Sequence, residues 1–120
     1  PPPPPEATPP QGHRTLQLAF EALAAKDFPH AFTLFNESLE QGLSTDEAKA
    51  EALNMRATFK FIMSDAEGAL ADLDEATTVK PDNAQSWVKK ASVHMELGKP
   101  DEAMADFDRA LEIDPENADV

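Results

Sequence analysis

Three histidines and two close pairs of aspartates are the residues of this chain best equipped for chemistry. His13, His30 and His94 could move protons or hold a metal ion, and Asp72/Asp74 and Asp106/Asp108 could act as paired carboxylates. Their spacing argues against both roles. The histidines show no His-x-x-x-His or His-Glu-x-x-His arrangement, so no helix face presents two imidazoles to one ion. Residues two apart on a helix do not face each other, and Asp-x-Asp here lacks the glycine and distal glutamate of a calcium loop. Cysteine and tyrosine are absent, and with four glycines there is neither a phosphate-cradling loop nor a Gly-x-Ser-x-Gly elbow. The sequence therefore predicts no enzyme, no metal and no cofactor. His94 reads as a packed imidazole satisfied by one hydrogen bond.

The aspartates recur because the chain recurs. Ala50–Asn83 laid on Ala84–Asn117 gives nine identities at a 34-residue offset, among them Ala57/Ala91, Ala69/Ala103, Ala76/Ala110 and Pro81/Pro115. Small residues and a closing proline at those places resemble the tetratricopeptide repeat, a helix–turn–helix unit that stacks into a solenoid. The expected fold is all-α: a tetratricopeptide-repeat solenoid of three repeats, about 13–45, 50–83 and 84–117, behind a proline-rich linker over 1–12. The first repeat is degenerate, with Ser38 for an alanine, Leu43 for a proline and a connection to the next unit four residues longer.

Apolar residues spaced by three and four place helices at about 14–25, 28–41, 46–63, 66–79, 84–97 and from 100 to just before Pro115. Ser44 or Thr45 can cap the third, and Ser64 or Asp65 the fourth, with Ser64–Glu67 at capping-box spacing. Pro29 and Pro100 suit first turns, while Gly42 and Gly98 suit ends. Large side chains such as Phe35, Leu73, Trp87 and Phe107 are expected to fill the gaps beside the small ones. Arg56 and Lys90, one unit apart, are expected to lay their stems on the helices and reach water.

A formal charge of −13 excludes a phosphate-neutralising surface and hence nucleic acid as partner, and it favours basic partners. No run approaches the roughly 18 apolar residues of a membrane span. Lacking an initial methionine and stopping where another unit would start, the chain reads as a fragment. In stacked repeats of this kind the first helix of each unit lines a concave groove. The inward positions predict an apolar peptide-binding groove of Leu16, Phe20, Leu23, Met55, Phe61, Ile62, Val88 and Met95, with Glu51 and Glu96 on an acidic rim. Repeats that grip the acidic tails of heat-shock chaperones place Lys, Asn, Asn, Lys and Arg at positions held here by Leu16, Phe20, Met55, Gln85 and Lys89. Only Lys89 could serve, so that grip is not expected.

The runs Met55-Arg56-Ala57-Thr58-Phe59-Lys60-Phe61 and Gly68-Ala69-Leu70-Ala71-Asp72-Leu73, with the ending Glu112 to Val120, resemble the large tetratricopeptide import receptor of the mitochondrial outer membrane. The resemblance covers roughly residues 14–120 and falls in the middle of that receptor, after its chaperone-docking repeats. It implies a location on the cytosolic face of that membrane and partners among carrier-type mitochondrial preproteins and other translocase subunits. Chaperones would dock only on repeats outside this chain. Two other readings stand beside it: an architectural segment that only packs on neighbouring repeats, and a chaperone adaptor.

Overall fold

Among the described residues six helices follow one another: α1 (Gly12–Ala24), α2 (Phe28–Gln41), α3 (Asp46–Ile62), α4 (Ala66–Val79), α5 (Ala84–Glu96) and α6 (Pro100–Ile113). The computed structural model describes residues 11–116, and among them there is no strand. The expected proline-rich linker lies outside the described residues except at its last two positions. There α1 opens earlier than the pattern suggested. Gly12 is helical and buried because a Cβ at that position would collide with the carbonyls of Ser38 and Gly42 at the end of α2.

Helices pair as α1 with α2, α3 with α4 and α5 with α6, and α2 then packs on α3 and α4 on α5. Alanines at the contacts allow this approach: Ala19, Ala31, Ala50, Ala52, Ala69, Ala76, Ala91 and Ala103 are fully buried. Phe35, Leu73 and Trp87 fill the spaces between them, whereas Phe107 stays 38% exposed on the outer side of α6 and packs no gap. Ser38, in the place of an alanine, is fully buried and donates its hydroxyl to the Phe35 carbonyl at 2.8 Å, so its polar atom carries no penalty.

The turn inside each repeat has one construction. Lys26, Ser64 and Gly98 adopt left-handed φ values of 63°, 68° and 73°. The following amides, of Asp27, Asp65 and Lys99, reach back to the carbonyls of Ala22, Lys60 and His94 at 2.7–2.9 Å. This is the Schellman closure, which satisfies carbonyls the helix end leaves open. Because Ser64 is spent on the turn, Asp65 alone caps α4, accepting the Gly68 amide at 2.9 Å, and the Ser64–Glu67 box does not form. Thr45 caps α3 through the Ala48 amide and Asn83 caps α5 through the Gln85 amide.

The four extra residues after the first repeat are helical, as the helix expected from about 46 implies. Four residues separate α2 from α3, as four separate α4 from α5, and the extra residues form an added first turn of α3, which has 17 residues against 13 in α5. Asp46 and Glu47 in that turn favour it by facing the positive end of the helix dipole.

Candidate functional site

The side chains singled out for chemistry are tied into the packing. His94 is buried and its Nδ1 lies 2.5 Å from Asp106 Oδ2, joining α5 to α6. Asp72 is buried on α4 and receives Arg56 Nε at 2.9 Å and Nη2 at 2.7 Å, with Lys60 Nζ at 3.1 Å. Arg56 keeps 21% of its side chain exposed, as its stem-and-head pattern suggested, but its head is tied to a carboxylate. Its guanidinium is held by Asp72 and leans on Asn36 Oδ1 at 3.4 Å, and the hydrogen bond to Asp72 keeps its pKa above the ordinary arginine value. Lys90 pairs with Asp74 at 2.9 Å and lies 4.9 Å from the Trp87 ring centroid, opposite the Arg109 guanidinium at the same distance. These are interhelical ties. Among the described residues no three His, Cys, Asp or Glu side chains gather as a metal site would require.

The inward sides of α1, α3 and α5 carry three open depressions. The largest, about 670 Å³, lies among the C-terminal ends of α1 and α3 and the first half of α2, and its walls are Leu23, Met55, Thr58, Ile62 and Met63. Its floor is aromatic. Phe59 sits 6.4 Å from Phe28, 5.8 Å from Phe32 and 6.1 Å from Phe35, centroid to centroid, and Phe35 takes Phe20 edge-on at 5.1 Å. A second, of about 190 Å³, lies between α3 and α5 over Ala57, Phe61, Leu73 and Val88. A third, of about 490 Å³, is polar and lies at the N-terminal ends of α3 and α5 among Glu47, Glu51, Asn54 and Gln85. They form one surface, because Met55, Thr58 and Lys89 are each shared by two of them.

The predicted groove residues divide on this surface. Leu23, Met55, Phe61, Ile62 and Val88 line the depressions, and Glu51 stands exposed at the polar end. Leu16 does not: at 7% exposure it is enclosed by Ala19, Ala31, Phe35 and Ala52. Phe20 is half-buried against the same cluster and supports the aromatic floor from below. Met95 and Glu96 are exposed at the end of α5, away from all three depressions.

Phe28, Phe32, Phe59 and Met63 were missed as lining residues. Phe28 and Phe32 belong to the second helix of their repeat, which the inward pattern of first helices does not include. The available signal was the concentration of phenylalanine in the first repeat.

Lys89 is the remaining feature. Half-buried on α5, it donates to Thr58 Oγ1 at 2.7 Å and has no carboxylate partner among the described residues. Burial lowers its pKa below the ordinary value of 10.5. Thr58 passes its own proton to the Asn54 carbonyl at 2.9 Å, and Asn54 Oδ1 accepts the Ser86 hydroxyl at 2.8 Å.

Residues 84–117 match the family described as tetratricopeptide repeat. Solved structures of low identity share the architecture of the whole stack. The first tetratricopeptide domain of Spaghetti (RPAP3), bound to the HSP90 peptide SRMEEVD, is 16% identical with a TM-score of 0.75 over 88% of this chain and 80% of that one. The Arabidopsis OM64 tetratricopeptide domain is 20% identical with a TM-score of 0.76, over 88% of this chain and 84% of its own. The Hsp90 co-chaperone Cns1 of Saccharomyces cerevisiae is 22% identical with a TM-score of 0.78, over 88% of this chain and 34% of its own. The fold is a tetratricopeptide-repeat stack. Its six helices make three such units, the first sharing the turn geometry of the others despite its irregular sequence.

Proposed function

We propose that this repeat stack is a preprotein-binding segment of an import receptor on the cytosolic face of the mitochondrial outer membrane. The observation that carries the binding role is the open, phenylalanine-floored depression between the first and second repeats. Soluble proteins rarely leave a contiguous apolar hollow uncovered without a use for it. Ile62 is 71% exposed at its edge and Met63 54%, so both can cover a ligand without repacking. The bound segment is apolar on one face and basic on the other. Leucine-like side chains fill the hollow, and its cations lie toward Glu47 and Glu51 and meet the field of a chain carrying −13. The receptor and its location rest on the resemblance of residues 14–120 to that family.

An NMR titration with an amphipathic mitochondrial targeting peptide tests the reading. Shifts are expected at Leu23, Met55, Thr58 and Ile62, and Ile62→Ser is expected to weaken binding at least about tenfold while leaving the melting temperature nearly unchanged. Leu16→Ala should do the reverse, costing about 2–5 kcal/mol of stability with little effect on affinity in the folded fraction. Shifts confined to α4 and α6 would overturn the assignment and favour an architectural segment.

The structural neighbours that hold HSP90 peptides favour one alternative, a chaperone-tail site. Against it, Leu16 is buried and Phe20, Met55 and Gln85 carry no charge for a terminal carboxylate. The peptide SRMEEVD is expected not to bind, and a micromolar affinity would replace the preprotein reading with the adaptor one.

A further inference from the structure

We infer that Lys89 fixes the register of the bound segment by requiring an uncharged acceptor oxygen, a side-chain amide, hydroxyl or free main-chain carbonyl, at one position along its polar face. This rests on the groove reading above and deepens it.

The argument begins with donors. A lysine ammonium carries three N–H groups. One goes to Thr58 Oγ1, and no other acceptor within the described residues takes the remaining two. Thr58 cannot turn toward a ligand instead, because its hydroxyl proton is committed to the Asn54 carbonyl. The lysine is thus held in place by a hydroxyl that has no proton left to offer a ligand. Its free donors border both the small apolar depression and the polar hollow, midway between the apolar and acidic ends of the groove.

Its charge sets the selection. A cation of the ligand placed there would meet a half-buried ammonium, a repulsion that water screens poorly. A carboxylate would gain from Lys89 but would share the polar hollow with Glu47 and Glu51. Lys80, which lines the same hollow, is already paired with Glu47 at 3.6 Å and Asp82 at 3.4 Å. A neutral oxygen accepts from Lys89 without paying either repulsion. A basic amphipathic segment therefore seats only where its row of cations is interrupted, and the interruption falls beside the apolar anchor.

The test uses a host peptide with leucines on one helical face and arginines on the other. Each arginine is replaced in turn by glutamine and by glutamate, and affinities are measured for the wild type, Lys89→Met and Ile62→Ser. In the wild type one position is expected at which glutamine tightens binding about tenfold over arginine, and this peak should disappear in Lys89→Met. Ile62→Ser is expected to weaken every peptide and keep the peak. The same profile in wild type and Lys89→Met overturns the Lys89 assignment and leaves the groove standing. Glutamate exceeding glutamine by about tenfold at the peak also overturns it, identifying a carboxylate site instead. Failure of every peptide to bind the wild type overturns the groove reading and this inference with it.

Discussion

Asp72 and Lys89 show how differently a charged side chain can sit among these helices. Asp72 has two cations around it, and their hydrogen bonds offset the loss of water. Removing the carboxylate leaves Arg56 and Lys60, 21% and 23% exposed, without their shared partner, so Asp72→Ala should cost about 1–3 kcal/mol in urea denaturation. Lys89 has only a neutral partner, and burial lowers its pKa. The sign of its pH effect follows. Below the folded-state pKa both folded and unfolded chains hold the proton, and the desolvation cost is carried in full. Between that value and the ordinary 10.5 the unfolded chain binds more protons, so stability rises with pH. Wild type should therefore gain on Lys89→Met as pH climbs through that alkaline window, read from urea midpoints at matched pH. No tyrosine or cysteine titrates there to mask the difference. A flat difference would show that the ammonium is fully hydrated, which would also remove the basis for its role in the groove.

At the scale of elements, helix ends were the most legible part of the sequence, because they depend on local chemistry. Thr45, Asp65, Pro29, Pro100, Gly42 and Gly98 each act where backbone hydrogen bonding alone would place them. What depends on a neighbouring helix was not legible. An apolar stripe on α1 cannot show that Leu16 is sealed while Leu23, seven residues on, faces an opening, since that difference is set by what α2 and α3 bring against each residue. The four added residues after the first repeat were, by contrast, legible as helix, because Asp46 and Glu47 directly behind Thr45 mark a helix start. Asp72 and Asp106 read only as a recurring feature of the repeat because their partners, Arg56 and His94, lie 16 and 12 residues away. The turns supply a prediction of their own. Ser64 holds a left-handed φ of 68° that its equivalent, Gly98, adopts without a Cβ. Strain of about 1 kcal/mol is relieved by Ser64→Gly, partly offset by the greater freedom of glycine in the unfolded chain. A gain of about 0.5 kcal/mol, a rise of a few degrees in melting temperature, is expected. A loss would mean that Ser64 makes up its strain elsewhere in the turn.

Charge belongs to the whole molecule, since no single carboxylate of the 23 accounts for a net −13. The groove puts its apolar end between the first two repeats and its glutamates, Glu47 and Glu51, in the N-terminal part of α3, so capture and retention draw on separate parts of the surface. Attraction acts over a Debye length of about 10 Å at 0.1 M salt and about 3 Å at 1 M, whereas burial of leucine-like side chains is nearly indifferent to salt in this range. Raising salt from about 20 mM to about 500 mM should thus slow association of a basic amphipathic peptide about tenfold or more and change dissociation less than about threefold. Stopped-flow mixing separates the two rates. Ile62→Ser should show the complementary pattern, faster dissociation with association unchanged. If salt moved only the dissociation rate, the glutamates would be contact residues and not a steering field. The peptide would then have to lie across the polar hollow itself, with Lys89 beneath it.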